Sequence, residues 1–290
     1  MIAQIGRISV KRRLIDRTMQ AVIILSAIAA ITPLVLIIGE AAVQGLPVLS
    51  FSFLINQPVP VGYQGGGIGP MIQGTLVMVL LATLISFPLG LCAGIFFSEW
   101  PNSRLALLSS FSNDVLAEFP SMVIGIFVYI IVVLATGTFS ALAGGVALGI
   151  IMVPLVARTT EEGLKSVPPS VREASIALGI PRWKTVFYVV IRSARGMLVT
   201  GAILAVARAA GETAPLILTA GFSNAYVSGL LRPAGSIPYL IYYYGISPYQ
   251  SWHAIAWGAS LVLVMIIMTI SLTLRLLVRE KAGESGLKHR

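Results

Sequence analysis

Long apolar stretches alternate with short polar segments along the chain. Three of these stretches, 41–98, 119–157 and 233–274, contain no Asp, Glu, Lys or Arg. A bilayer core about 30 Å thick needs roughly 20 apolar residues for each helical crossing, and it excludes unpaired charge. The pattern therefore predicts an all-α, polytopic membrane protein.

Six segments are long enough to cross a bilayer, at about 19–39, 71–97, 115–136, 138–157, 197–221 and 255–278. Only Thr136-Gly137-Thr138 separates the third segment from the fourth, so we expect these two helices to form a hairpin. No small-residue cleavage site follows the first segment, which indicates an uncleaved helix rather than a signal peptide. The chain then divides into four parts: a segment at 1–18, a first helix with an external loop at 19–66, a core domain at 67–278 and a tail at 279–290.

Basic residues are distributed very unevenly between the predicted loops. Eighteen of the 20 Lys and Arg residues fall in 1–18, 98–114, 158–196 and the segment from Arg275 onward, whereas Arg232 is alone in the intervening loops 40–70 and 222–254. Because cytoplasmic loops carry the excess of Lys and Arg, both termini are predicted to be cytoplasmic. An even number of crossings agrees with that arrangement.

Composition supports a protein of the bilayer. The chain is 57% hydrophobic and 11% charged, and its mean hydropathy is +0.91. The net charge of +9 is explained by membrane orientation, so no nucleic-acid partner is expected. The single cysteine, Cys92, excludes an internal disulfide, and because His253 and His289 are isolated in the sequence, no metal site is expected.

The predicted cytoplasmic loop 158–196 is long enough to have its own structure. Ser170 and Glu173 have the spacing of a capping box, Gly179 is placed for a left-handed helix end, and Pro181 is placed to open a second helix. These signals predict a short helix, a tight turn and a second helix. On physical grounds alone, the loop is either a docking element or an amphipathic hairpin on the lipid headgroups.

The segment Glu173-Ala174-Ser175-x-x-x-Gly179 resembles the EAA-x-x-x-G signature of bacterial ABC importer permeases. Ser175 replaces the second Ala of that signature, and Arg192 stands where many importers have Pro. In that family the loop is a coupling helix that inserts into a groove of a cytoplasmic ATPase. The resemblance implies that Glu173, Ala174, Ser175 and Gly179 form the ATPase-coupling site.

Several further segments resemble the A-type (PstA) permeases of phosphate-specific ABC importers. The matching segments are Gly67-Ile68-Gly69-Pro70 with Gly74-Thr75-Leu76, Glu99, Pro120-Ser121, Ala207 to Leu216, Ser247-Pro248-Tyr249 and Ala256-Trp257. They occur in the family's order and on the expected sides of the membrane. The resemblance implies a type I ABC importer permease fold for the core domain 67–278, in the cell inner membrane.

Arg208 lies inside the fifth predicted crossing, with Glu212 one turn later on the same face. An intramembrane Arg indicates a functional site unless it serves only in an internal ion pair, and both interpretations remain open here. A guanidinium binds phosphate oxygens through two parallel hydrogen bonds and stays charged at physiological pH. Arg208, Glu212 and the adjacent Thr213 are therefore the predicted substrate-path residues.

The segment Gly179 to Thr185 contains Lys-Thr but lacks the preceding Gly and strand of a P-loop, so we expect no ATPase site and no bound cofactor in this chain. The resemblance implies a heterodimer with a homologous C-type permease, two ATPase subunits that carry ATP and Mg²⁺, and an external phosphate-binding protein. Two alternatives remain: a membrane scaffold or sensor without its own transport path, and a permease for another oxyanion such as molybdate or sulfate. The tyrosine-rich external segment 232–249 is either an interfacial belt or a docking surface.

Overall fold

The computed structural model describes residues 10–63 and 65–287, and every regular element within those ranges is helical. In chain order the helices are α1 (Val10–Gly45), α2 (Phe51–Ile55), α3 (Gly69–Glu99), α4 (Arg104–Glu118), α5 (Ser121–Thr136), α6 (Ala141–Lys165), α7 (Pro169–Ala177), α8 (Arg182–Ala210), α9 (Ala214–Thr219), α10 (Ile237–Gly245) and α11 (Gln250–Leu287). Within α5 and α8, the stretches Tyr129–Val133 and Thr185–Val190 are wound as π-helix.

Five of the described helices, α1, α3, α6, α8 and α11, are long and apolar enough to cross a membrane. The pair α4 and α5 meets the same criterion jointly, and a bend of 102° separates its two members. The all-α, polytopic fold is thus confirmed, with six spans when the bent pair counts as one. The N-terminal segment 1–18 and the tail 279–290 lie partly outside the described residues; their described parts continue α1 and α11.

The third predicted span was expected to be one helix over 115–136, and this prediction is wrong. Helix α4 begins earlier, at Arg104, and the chain breaks at Phe119 and Pro120 before α5 starts. Phe119 is extended (φ −64°, ψ 133°), as expected for a residue before proline, and Pro120 has no N–H with which to continue the helix. The result is the sharp bend between the two segments.

The bounds of the fifth predicted span, 197–221, are also wrong. Helix α8 begins at Arg182, ends at Ala210 and is followed by a break over Gly211-Glu212-Thr213 before the short α9. Its 29 residues extend for about 43 Å, longer than a bilayer core of about 30 Å. A helix of that length can therefore extend beyond the bilayer core, with Arg192 and Arg195 on the part that lies outside it. Within the predicted loop 158–196, only residues 166–168 and 178–181 are not helical.

The centre of the molecule is formed by α3, which packs along α6, and by α8, which packs against both α6 and α3. Small and sulfur-containing residues allow this close approach; the main buried cluster includes Met78, Ala82, Leu148, Met152, Ala205 and Ala209. At Gly201 on α8, an added Cβ would collide with the Thr159 side chain on α6. Helices α6 and α8 therefore approach each other closely at this position.

Helix α1 packs against α11 and is otherwise exposed along an almost wholly apolar length. This is the surface expected of a helix facing lipid. At the opposite end of the molecule from α7, the loop between α9 and α10 is fixed to the start of α3: the Val227 N–H donates to Gln73 Oε1 at 2.7 Å, and the Ile237 N–H donates to Thr75 Oγ1 at 2.9 Å.

Candidate functional site

The turn between α7 and α8 has the geometry that the sequence predicts. Gly179 adopts φ +78°, its N–H donates to the Ile176 carbonyl at 2.9 Å, and the Ile180 N–H donates to the Ser175 carbonyl at 3.3 Å. This pair of bonds is a Schellman motif, which requires the left-handed conformation that glycine adopts without a steric penalty. Pro181 then precedes the first residue of α8.

The capping box predicted at Ser170 and Glu173 is absent from the start of α7. Helix α7 begins at Pro169, the preceding Pro168 occupies the N-cap position, and no side chain caps the helix. A proline in the first turn needs no partner for its missing N–H and has a φ angle suited to a helix. The helix therefore begins at Pro169, and Ser170 lies inside its first turn rather than at the N-cap position.

The four predicted coupling residues lie on one short hairpin, but not on one face of it. Glu173, Ala174 and Gly179 are exposed, whereas Ser175 is buried and its hydroxyl lies 2.9 Å from the Thr185 hydroxyl of α8. Leu178, at the tip of the turn, is 81% exposed. An exposed leucine beside small residues forms an apolar projection, which is the type of surface that fits a groove on another protein.

Arg208 lies in the last turn of α8, immediately before the break at Gly211. Its Nε is 3.8 Å from Glu212 Oε1, and its side chain is 54% exposed. The predicted pair of Arg208 and Glu212 is therefore present, but the distance between the charged groups is long and the Arg208 side chain is exposed. The positive charge also lies where the unpaired carbonyls at the end of α8 favour a cation.

A cavity of about 110 Å³ lies beside Arg208, and Arg158 of α6 lines it as well. Its other walls come from both sides of the α4–α5 bend and from α6; they include Leu116, Phe119, Ser121, Ile124, Ile151 and Pro154. The bend thus creates the space, and two arginines from different helices border it. The wall residues are mostly apolar, while the two guanidinium groups remain partly exposed and carry the positive charge that an anion would meet.

Arg158 was predicted only to begin the loop 158–196, so the sequence interpretation missed its place in this cavity. Its guanidinium donates to Asp114 Oδ2 at 2.7 Å and to Glu161 Oε2 at 2.5 Å, while Lys165 Nζ donates to Glu161 Oε1 at 2.6 Å. The spacing of Arg158, Glu161 and Lys165 along one helical face was the available signal. Arg158 is thus held by two carboxylates, unlike Arg208.

Thr213 does not line the Arg208 cavity; it is half-buried in the break between α8 and α9, where its carbonyl accepts from Leu216 at 3.1 Å. Glu212 is absent from the cavity lining too and contacts it only through Arg208. Within the described part of the chain, no group of three or more His, Cys, Asp or Glu side chains is arranged to hold a metal ion.

The tyrosine-rich segment forms an aromatic cluster at the end of the molecule opposite α7. Tyr244 stacks on Trp252 with ring centroids 4.3 Å apart, while Tyr242, Tyr243 and Tyr249 remain exposed. Burial raises the pKa of the Tyr244 hydroxyl, and the neighbouring Tyr243 raises it further. Tyr244 therefore stays neutral, and the exposed rings form a surface suited to either of the two predicted roles.

Comparison with known proteins places this architecture in a family. Residues 86–280 match the model of the binding-protein-dependent transport system inner membrane component family. The phosphate transport system permease protein PstA of Xylella fastidiosa (strain 9a5c) is 39% identical over 93% of this chain and 95% of its own. The Yersinia pestis PstA is 36% identical over 86% and 84%, and the probable PstA of Methanocaldococcus jannaschii is 39% identical over 87% and 89%.

Among solved structures, an inward-facing form of the MetNI methionine ABC transporter resembles this chain with a TM-score of 0.59. The match covers 74% of this chain and 94% of that one at 20% sequence identity, so it supports the fold. The helical core is therefore the fold of a type I ABC importer permease. The chain belongs to the binding-protein-dependent inner membrane transport components, within the group of phosphate transport system permease proteins PstA.

Proposed function

We propose that this chain is the membrane-spanning permease subunit of an ATP-driven phosphate importer. The observation that carries the proposal is the cavity lined by both Arg158 and Arg208, in a chain whose relatives are named phosphate permeases. Its volume of about 110 Å³ has room for several water molecules or for one small anion. Arg208 is the more available of the two cations, since its contact with Glu212 is 3.8 Å long.

Depth along α8 supports a site within the bilayer. Arg208 follows Arg195 by 13 residues, or about 20 Å along the helix axis. If Arg195 lies at the cytoplasmic surface, as the distribution of basic residues predicts, Arg208 is well inside a core of about 30 Å. Both termini and the α7–α8 turn are then cytoplasmic, and the aromatic cluster is external.

In the proposed mechanism, an external binding protein delivers phosphate to a path between this chain and a homologous C-type permease. Arg208 binds the phosphate oxygens transiently, and Glu212 re-forms its contact with the guanidinium once the anion leaves. Two cytoplasmic ATPase subunits bind ATP and Mg²⁺, and they engage the turn that carries Glu173, Ala174 and Leu178. This chain contributes the path and the mechanical connection, with no hydrolytic site of its own.

Uptake measurements in the native cells test the substrate class. Cells in which the coding sequence is deleted should lose high-affinity uptake of radiolabelled phosphate, and re-expression should restore it. Excess unlabelled sulfate or molybdate should leave the restored uptake unchanged. If the chain supports uptake of sulfate or molybdate but not of phosphate, the proposal is contradicted. Unchanged phosphate uptake in the deleted cells would also contradict it, because that is the result expected of a scaffold without a transport path.

A further inference from the structure

Glu99 is the last residue of α3, and its acidic side chain is only 3% exposed. Its carboxylate accepts a hydrogen bond from Arg172 of α7, and Arg182 of α8 lies 3.7 Å from its second oxygen. Arg182 also donates to the Glu99 backbone carbonyl at 2.7 Å. A buried carboxylate is strongly unfavourable unless it is paired and hydrogen-bonded. Two arginines, one from each arm of the α7–α8 hairpin, fulfil that requirement.

The same arginines connect the hairpin to a second long helix and to an aromatic ring. Arg172 Nη2 donates to the Leu164 carbonyl of α6 at 2.9 Å, so one guanidinium joins α7 to the ends of both α3 and α6. The Arg182 guanidinium lies 5.5 Å from the centroid of the Trp100 ring, within the range of a cation–π contact. We name Glu99, Arg172 and Arg182 the Glu99 clamp.

An apolar layer lies beneath the clamp. Leu164, Val167, Val190 and Ala194 are buried together there, with Ile95 of α3 packed against them. This layer fixes the separation of the helices, but apolar contacts are non-directional and allow sliding. The charged contacts of Glu99 are directional and define how the hairpin is oriented on α3.

We propose that Glu99 is the positioning residue through which movement of the α7–α8 hairpin reaches α3 and α6. The proposal rests on the proposed function, since it assumes that an ATPase moves the hairpin. A pull on α7 is transmitted by Arg172 to the ends of α3 and α6, which pack along each other. Arg158, which lines the cavity, lies on α6 six residues before Leu164, or about 9 Å along the axis. The clamp thus connects the docking surface to the proposed substrate site.

The experiment compares Glu99→Gln with Glu162→Gln in the purified, membrane-reconstituted complex. Glu162 is an exposed carboxylate near the end of α6 and serves as the matched control. The first measurement is amide hydrogen exchange in 169–181, which does not depend on the substrate. The second is the amount of radiolabelled phosphate transported per ATP hydrolysed. Arg182→Gln, at a side chain that is 61% exposed, is a second clamp variant that should fold even if Glu99→Gln does not.

In Glu99→Gln, exchange in 169–181 should become at least about tenfold faster, because the buried pair no longer orients the hairpin. Phosphate transported per ATP should fall by a similar factor, while the ATPase subunits still co-purify. Arg182→Gln should change both quantities in the same direction by a smaller factor, and Glu162→Gln should change neither.

The proposal would be overturned if both clamp variants had the same amide exchange rate in 169–181, and the same amount of phosphate transported per ATP, as Glu162→Gln. Faster exchange with an unchanged transport ratio would also overturn it, since Glu99 would then only stabilise the hairpin. Absence of phosphate uptake in the unmodified complex would instead contradict the proposed function. The exchange difference between Glu99→Gln and Glu162→Gln would still decide whether Glu99 holds the hairpin.

Discussion

The hydroxyl of Ser175 lies 2.9 Å from the hydroxyl of Thr185, and both side chains are buried between α7 and α8. Each hydroxyl is the polar partner of the other in a region from which water is largely excluded. The two arms of the hairpin are thus joined by a hydrogen bond at the position where the family signature has its second Ala.

Removing one of these partners should cost more than removing both. Ser175→Ala leaves the Thr185 hydroxyl buried without its partner and should lower the free energy of unfolding of the hairpin by about 1–3 kcal/mol. Adding Thr185→Val, which replaces the remaining hydroxyl with a methyl group, should recover most of the loss. Thermal unfolding of the detergent-solubilised protein, together with hydrogen exchange in α7, measures both changes. Equal losses in the single and double variants would contradict this account.

Ser170→Ala is the control for that series and also tests the absent capping box. Ser170 is exposed and makes no cap, because Pro168 occupies the N-cap position. The substitution should change stability by less than about 0.5 kcal/mol, as is usual for an exposed site without a special role. A loss of about 1 kcal/mol, typical of a lost N-cap, would show that Ser170 caps α7.

Gly179→Leu should disrupt the tip of the hairpin, because a residue with a β-carbon in the left-handed conformation costs about 1–2 kcal/mol. ATPase co-purification and phosphate uptake should both fall, while the protein still inserts in the membrane. The matched control is Gly196→Leu on α8, where an added Cβ meets no atom within 4 Å. If ATPase binding and uptake are normal in Gly179→Leu, the hairpin is not the coupling element.

Long apolar stretches were sufficient to predict an all-α, polytopic fold, and Gly179 was sufficient to predict the turn. The bounds of the fifth span could not be predicted in the same way, because Arg192 and Arg195 indicate a loop by composition although they lie on a helix longer than the bilayer is thick. The break after Ala210 had a local signal in Gly211 and Pro215, but hydropathy alone gives no reason to end a helix there.

Arg158 illustrates a different limit of sequence reasoning. Its distance along the chain from Arg208 is 50 residues, and only the α4–α5 bend and the packing of α6 against α8 bring both arginines to one cavity. Such a juxtaposition is a property of tertiary packing. Likewise, Glu99 matched a family segment, but its burial under two arginines depends on where the hairpin folds back.

Gly201→Val should weaken the packing of α8 on α6, since the new side chain would overlap that of Thr159. Overpacking of this kind costs about 1–3 kcal/mol and should lower the amount of protein in the membrane. Gly39→Val on the lipid-exposed α1 is the control, because a Cβ at that position meets no atom within 4 Å. Immunoblots of membrane fractions measure both variants; equal levels would contradict the close approach of α8 to α6.

The proposed topology can be tested with the chain's only cysteine removed. In a Cys92→Ala background, Ser228→Cys lies in the exposed loop between α9 and α10, and Ser170→Cys lies on α7. A membrane-impermeant thiol reagent should label the first variant in intact cells and the second only after permeabilisation. The opposite labelling pattern would place the termini outside the cell and contradict the orientation.

The central claim, that Arg208 contacts phosphate, is tested most directly by radiolabelled phosphate uptake in three variants at matched membrane levels. Arg208→Gln should reduce uptake by roughly tenfold to a hundredfold, since hydrogen bonds to a charged group contribute about 1.5–3 kcal/mol. Its membrane level should stay normal, because the Glu212 contact is long and the guanidinium is half-exposed. Arg192→Gln, an exposed site on the same helix, should leave uptake unchanged. The decisive measurement is phosphate uptake in the double variant Arg208→Gln with Glu212→Gln. The predicted result is that uptake remains lost. Near-normal uptake would contradict phosphate contact and show that Arg208 serves only to pair with Glu212.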